Sequence, residues 1–270
     1  MVSHERDVVS KKATANLIPV AIRGYWQRSQ RPLSALIFLL PLILLYDLGV
    51  LRYATSESFT ADIYARSLLR GFFRWFGVTG FYLPGFIVIA VLLAWHLAKR
   101  DPFRVEPRLY GLMWAESLLL SLPLFVLAMA MFRQPVTNWC LLAAGVDGGG
   151  AGTAALEISW QAKLVFSIGA GIYEELLFRL IAIALIHLVL VDIMALPATV
   201  GAVGAIGVSA VSFALYHFSP ANPFEWMKFS FYTLAGVYLA AVYVLRGFGI
   251  VAGTHALYDV LVVVLELTQS

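Results

Sequence analysis

Apolar residues run along this chain in stretches of about twenty, and charged residues collect at the ends of those stretches. At 1.5 Å of rise per residue, about 20 residues cross a hydrocarbon layer roughly 30 Å thick, so each stretch predicts a membrane-spanning helix. The first runs from Leu33 to Leu51, the second over 81–98 and the third over 111–132. From Ser159 to Val191 the chain is helix-forming and free of proline, longer than a perpendicular crossing needs, which predicts a tilted or protruding helix. Further spans read over 201–218, 226–245 and 248–267, broken by Pro220 and Pro223 and then by Gly247 and Gly249. Between the first two spans, Leu69, Phe72, Phe73 and Phe76 fall at helical spacing with Ser67, Arg70 and Arg74 opposite them. Residues 60–77 therefore predict an amphipathic helix that lies in the interface or covers the bundle. The expected fold class is all-α, a polytopic transmembrane helical bundle of about seven to eight helices including the interfacial one.

Composition narrows this further. Of 270 residues 61% are apolar and 13% charged, with a mean hydropathy of +0.83. A soluble domain carries about a quarter charged residues, so a water-soluble globule is excluded. Residues 1–32 form a polar N-terminal segment with six Lys or Arg, and 33–268 read as one transmembrane domain. The apolar run after Pro32 is too long for a removable signal and lacks a small-residue cleavage site. Net charge is +3, and Lys99, Arg100, Arg104 and Arg108 sit between two spans. Such clusters carry topology and predict a cytoplasmic N-terminus, with the bilayer as partner and no nucleic acid. The four arginines of 52–74 then fall on the opposite side, against the rule. The stretch 133–157, with Asp147-Gly148-Gly149-Gly150, reads as a flexible connector. The single cysteine, Cys140, forms no intrachain disulfide and no multi-thiolate metal site.

A charge at the centre of a span costs on the order of 2.5–3.5 kcal/mol, so ionisable groups there must be paired inside the bundle. Three places qualify. Glu174-Glu175-Leu176-Leu177-Phe178-Arg179 lies within the long helix. Glu175 and Arg179, four apart, share a face and can pair, while Glu174 is turned about 100° away and left as a candidate base. Phe213 and His217 are one turn apart at the end of a later span, and His255 and Asp259 are one turn apart near the start of the last. If these helices adjoin, the set can activate a water and stabilise an oxyanion.

On these residues the chain resembles the CAAX protease and bacteriocin-processing family of intramembrane proteases, which includes the type II CAAX prenyl endopeptidase. The family pattern is Glu-Glu-x-x-x-Arg, Phe-x-x-x-His and His-x-x-x-Asn/Asp on successive membrane helices. This sequence matches it in order with Glu174, Glu175 and Arg179, with Phe213 and His217, and with His255 and Asp259, over about residues 159–265. The resemblance implies an intramembrane endopeptidase acting on a hydrophobic or lipid-anchored protein or peptide. It implies that Glu174 with His217 activates the attacking water and that His255 and Asp259 hold the oxyanion, with Glu175, Arg179 and Phe213 in supporting places. Where Asp259 stands the prenyl endopeptidase has asparagine, and an ionised aspartate cannot donate to an oxyanion. Asp259 is then either protonated or an acceptor that orients His255.

No cofactor is required by a Glu/His-activated water. Zinc stays open as the alternative, because Glu174, His217, His255 and Asp259 offer N and O donors but no His-Glu-x-x-His pair. A full-length hairpin between His217 and His255 would leave them at opposite membrane faces, so one or both spans must start or stop within the membrane. Two other classes fit a buried ionisable cluster: a noncatalytic scaffold or immunity protein of the same fold, and a proton-coupled carrier. His96, His187, Glu116 and Asp47 read as structural, and the tryptophans as an interfacial belt.

Overall fold

The computed structural model describes residues 20–53, 64–75, 77, 79–80, 82–132, 159–219 and 222–269. Cys140, Phe76, Pro220 and the connector around Asp147 lie outside these residues. Among the described residues there are nine helices and no strand. They are α1 Val20–Ser29, α2 Pro32–Tyr53, α3 Tyr64–Trp75, α4 Leu83–Lys99, α5 Pro107–Met131, α6 Trp160–Ile193, α7 Ala198–Tyr216, α8 Trp226–Arg246 and α9 Phe248–Gln269. Six of them, α2 and α5 to α9, are long and apolar enough to cross a membrane, and the chain is an integral multi-pass membrane protein. Their ends follow local chemistry. Proline opens α4 and α5, where its missing N–H costs nothing, and the Ser159 hydroxyl caps α6 by accepting from the Ala162 N–H at 3.4 Å. Gly247, at φ +81°, alone separates α8 from α9, in a conformation other residues rarely adopt.

Contacts between helix ends fix the order of crossing. Arg28 to Glu106 at 2.5 Å, Arg31 to Asp101 at 3.9 Å and Gln30 Nε2 to the Leu245 carbonyl at 2.6 Å bring α1, the α4–α5 linker and the α8–α9 turn to one face. Lys163 and Glu266, 3.0 Å apart, join the start of α6 to the end of α9 at the other. α4, only 17 residues long, must therefore also cross.

Helix α9 is central, packed on α2, α5, α6 and α8. Its approach to α6 depends on Gly171, where a Cβ would lie 2.4 Å from the Ala256 backbone nitrogen. That contact is one turn before Glu174 and next to His255, so it sets the distance across the candidate site.

Three expectations change. The polar segment 1–32 contains a helix, α1, whose Tyr25 reaches Glu116 of α5. The amphipathic helix is described over Tyr64–Trp75, with Ala65 and Leu69 buried and Phe72 54% and Trp75 89% exposed. Arg66, in the same helix, is fully buried, 3.7 Å from Asp47 and over the Tyr46 ring, so one of the arginines on the unexpected side is a core residue. Finally, α6 is not a uniform α-helix, since Leu176–Ala182 and Leu188–Ile193 are wound as π-helix. The first begins directly after Glu175, and the Ser209 hydroxyl of α7 donates to the Phe178 carbonyl within it at 2.6 Å.

Candidate active site

Each motif reaches the centre from its own helix. Glu174, Glu175 and Arg179 come from α6, Phe213 from α7 with His217 just past its end, and His255 and Asp259 from α9. All seven side chains are buried. Arg179 Nε lies 3.0 Å from Glu175 Oε2, the intrahelical pair that the spacing predicts. Its guanidinium also covers the Phe213 ring at 4.3 Å, and Nη2 is 3.5 Å from the Gly236 carbonyl of α8.

Glu175 has a second duty that spacing alone does not give. Its Oε1 is 2.8 Å from His255 Nδ1, so the carboxylate accepts from that N–H and turns Nε2 into the site. Asp259 Oδ2 lies 3.5 Å from His255 Nε2, on the nitrogen that faces Glu174 and not on the one behind it. The rear acceptor of His255 is thus Glu175, the place where Asp259 was one of two alternatives.

His217 donates Nδ1–H to the Phe213 carbonyl, its own i−4 acceptor, at 2.7 Å, since a carbonyl can only accept. In the neutral imidazole, Nε2 then carries the ring's lone pair. Nε2 of His217 and Nε2 of His255 are each 3.9 Å from the same atom, Glu174 Oε2, and among the described residues neither Glu174 oxygen accepts a hydrogen bond. A separation of 3.9 Å exceeds direct hydrogen-bond reach but suits one bridging water.

The two histidines meet because α7 stops short. The His217 ring stacks on Tyr232, the seventh residue of α8, placing it about 9 Å inside that helix's end. His255 is the eighth residue of α9, about 10 Å in from the opposite face. Side chains close the remaining gap, and the loop after His217 covers the rest of the depth, with Asn222 Nδ2 donating to the His217 carbonyl at 2.7 Å.

Residues 157–261 match the family model described as type II CAAX prenyl endopeptidase Rce1-like, and all seven residues above fall inside the match. Over that segment the chain is similar to the CAAX protease family. No curated protein and no solved structure matches the chain.

For a metal, the donor chemistry is present but the spacing is not. Two ligands on a tetrahedral zinc at about 2.0–2.1 Å lie about 3.3 Å apart. The Glu174 to histidine separations are 3.9 Å, and among the described residues no three His, Cys, Asp or Glu side chains converge at ligand spacing. The residues as arranged do not fit a metal ion.

Around this cluster, Tyr232, Ser209 and Asn222 lie in none of the three motifs, and no spacing pattern singles them out. A cavity beside the cluster is lined by Phe213, His217, Tyr232, His255 and Asp259 and, on its apolar side, by Leu124 and Leu239. Outside it, His96 is buried with its ring edge on Phe103 at 4.3 Å, and Glu116 pairs with Arg246.

Proposed function

We propose that this chain is a CAAX-protease-like intramembrane endopeptidase that hydrolyses peptide bonds through a water held by Glu174 and His217. The observation that carries the proposal is the meeting of Glu174 Oε2 with Nε2 of His217 and of His255, each at 3.9 Å, in a fully buried cluster. A water hydrogen-bonded at about 2.8 Å to both Glu174 Oε2 and His217 Nε2 subtends an angle of about 90° between them. Glu174 takes a proton from that water while the oxygen attacks the scissile carbonyl. The oxyanion accepts from His255 Nε2–H, whose proton is retained because Glu175 accepts at Nδ1 and Asp259 lies beside Nε2. Glu174 then delivers its proton to the departing amine, which restores the starting state. Arg179 holds Glu175 in place, so its role is positional.

The substrate class we propose is a protein or peptide with a lipid anchor or hydrophobic segment next to the cleaved bond. The mixed lining of the cavity supports this, with Leu124 and Leu239 facing the same space as His217 and Asp259. Positive charge over 1–32 and 99–108 supports a cytoplasmic N-terminus, which accessibility of an N-terminal tag in sealed vesicles checks directly.

The deciding experiment is cleavage by purified full-length protein of peptides with and without a C-terminal lipid, read by mass spectrometry. Glu174→Ala should abolish product while the protein stays folded in detergent. Undiminished cleavage by that variant overturns the mechanism. Biological function retained by a cleavage-dead variant would point to the noncatalytic scaffold.

A further inference from the structure

Resting on the function proposed above, we propose that Tyr232 of α8 is a positioning residue of this site: its ring clamps the His217 imidazole in the plane that aims Nε2 at Glu174. The two rings stack with centroids 4.0 Å apart and planes 14° from parallel, and Tyr232 is 3% exposed. It comes from α8, which lines the cavity and carries none of the three motifs.

His217 needs such a clamp because of where it sits. It lies just past the end of α7, where the helix no longer fixes the backbone on both sides. The bond from Nδ1 to the Phe213 carbonyl pins one atom of the ring, and Asn222 pins the backbone carbonyl. Neither fixes rotation of the ring about the Nδ1 contact. Phe213 and Tyr216 meet the imidazole at 70° and 85°, as edges, and the Phe213 face is already covered by Arg179. The parallel face of Tyr232 is what sets the ring plane. A lone pair lies in that plane, so a tilt swings Nε2 away from Glu174 Oε2, and displacements of about 1 Å at a reacting atom cost on the order of 100-fold in rate. The same face attracts an imidazolium, so it favours His217 when it shares the water's proton.

The contact that matters is the aromatic face, so Tyr232→Phe should keep it and Tyr232→Leu should lose it. In full-length protein we expect kcat for Tyr232→Phe to stay within about threefold of wild type. Tyr232→Leu should lose about 10- to 100-fold in kcat with KM within about threefold. Tyr232→Met, flexible enough to refill the space, serves as a second non-aromatic variant should the leucine protein fold poorly. A readout independent of cleavage is the NMR signal of the His217 ring protons, assigned by its loss in His217→Gln. Ring current from a stacked face holds that signal upfield in wild type and Tyr232→Phe, and it should move downfield in Tyr232→Leu and Tyr232→Met. An unchanged signal in both non-aromatic variants overturns the clamp. So does equal loss of kcat in Tyr232→Phe and Tyr232→Leu, which would assign the role to the hydroxyl. If the signal moves as expected but wild type shows no Glu174-dependent cleavage, the proposed function fails and the stack stands.

Discussion

Two polar clusters lie between the helices of this bundle, and they treat their glutamates differently. At the face shared by α1, α5 and the α8–α9 turn, both oxygens of Glu116 are engaged. Arg246 donates from Nε at 2.5 Å and from Nη2 at 2.8 Å, and Tyr25 donates to Oε2 at 2.5 Å. Arg246 also reaches Ser29 Oγ at 3.0 Å and lies over the Trp26 ring. In the other cluster, Glu174 is fully buried, yet neither oxygen accepts a hydrogen bond from any described residue, and its two histidine neighbours stand 3.9 Å off. Leaving a buried acceptor unpaired costs about 1–3 kcal/mol, more for a charged group. The first cluster follows the rule for stability at its glutamate and ties the N-terminal helix to the bundle. The second departs from it at both oxygens of Glu174, as a site does when its lone pairs are kept for a substrate or water.

The sharpest break between the two should come from neutralising each glutamate. Glu174→Gln is expected to lower kcat by about 10²–10⁴-fold, as loss of a general base does, with thermal stability in detergent unchanged or raised. A fall in melting temperature with cleavage intact would make Glu174 a structural residue like Glu116. Arg246→Met should do the reverse, costing about 3 kcal/mol of stability by stranding Glu116. Chemical denaturation would register that loss, and kcat of the folded fraction should stay near wild type.

Tyr25 offers a finer distinction through pH. Burial, followed by the hydrogen bond to Glu116, holds its phenol above the ordinary value of 10.0. A group whose pKa is raised on folding contributes stability that is complete below its unfolded pKa and is lost as pH rises through the folded one. Wild type should therefore lose stability from about pH 10 upward more steeply than Tyr25→Phe, and superimposable curves would remove Tyr25 from the cluster. The smallest effect is expected from Ser209→Ala, which frees the Phe178 carbonyl in the π-wound turn after Glu175 and should cost about 1 kcal/mol. Amide exchange over residues 176–182 would show whether that turn loosens.

Much of this was legible beforehand because it is local. The spans, the pairing of Glu175 with Arg179 and the one-turn spacings of Phe213 to His217 and His255 to Asp259 all follow from apolar runs and a period of 3.6 residues. Residues whose role depends on a distant helix were misread or missed. Arg66 stands out in the sequence only as one of the four arginines of 52–74 and is buried against Asp47, because α3 lies on the bundle with that side inward. α1 was hidden in a polar segment because its anchoring runs through single contacts such as Tyr25 to Glu116, 91 residues away, and not through an apolar stripe. Tyr232 belongs to no spacing pattern with His217, since the two are joined by a loop and not by a helical turn.

The sequence by itself determined that this chain crosses a membrane several times and which ionisable side chains go with it, since burial in lipid is dictated by composition and length. The tertiary structure alone decided which nitrogen of which histidine meets which oxygen. That depends on the depth at which α7 ends and on how closely α9 approaches α6 at Gly171, where the Ala256 backbone leaves no room for a Cβ. Helix rotation, depth and separation are set by packing between segments some 80 residues apart, as in the His255 to Glu175 bond, and no local period encodes them.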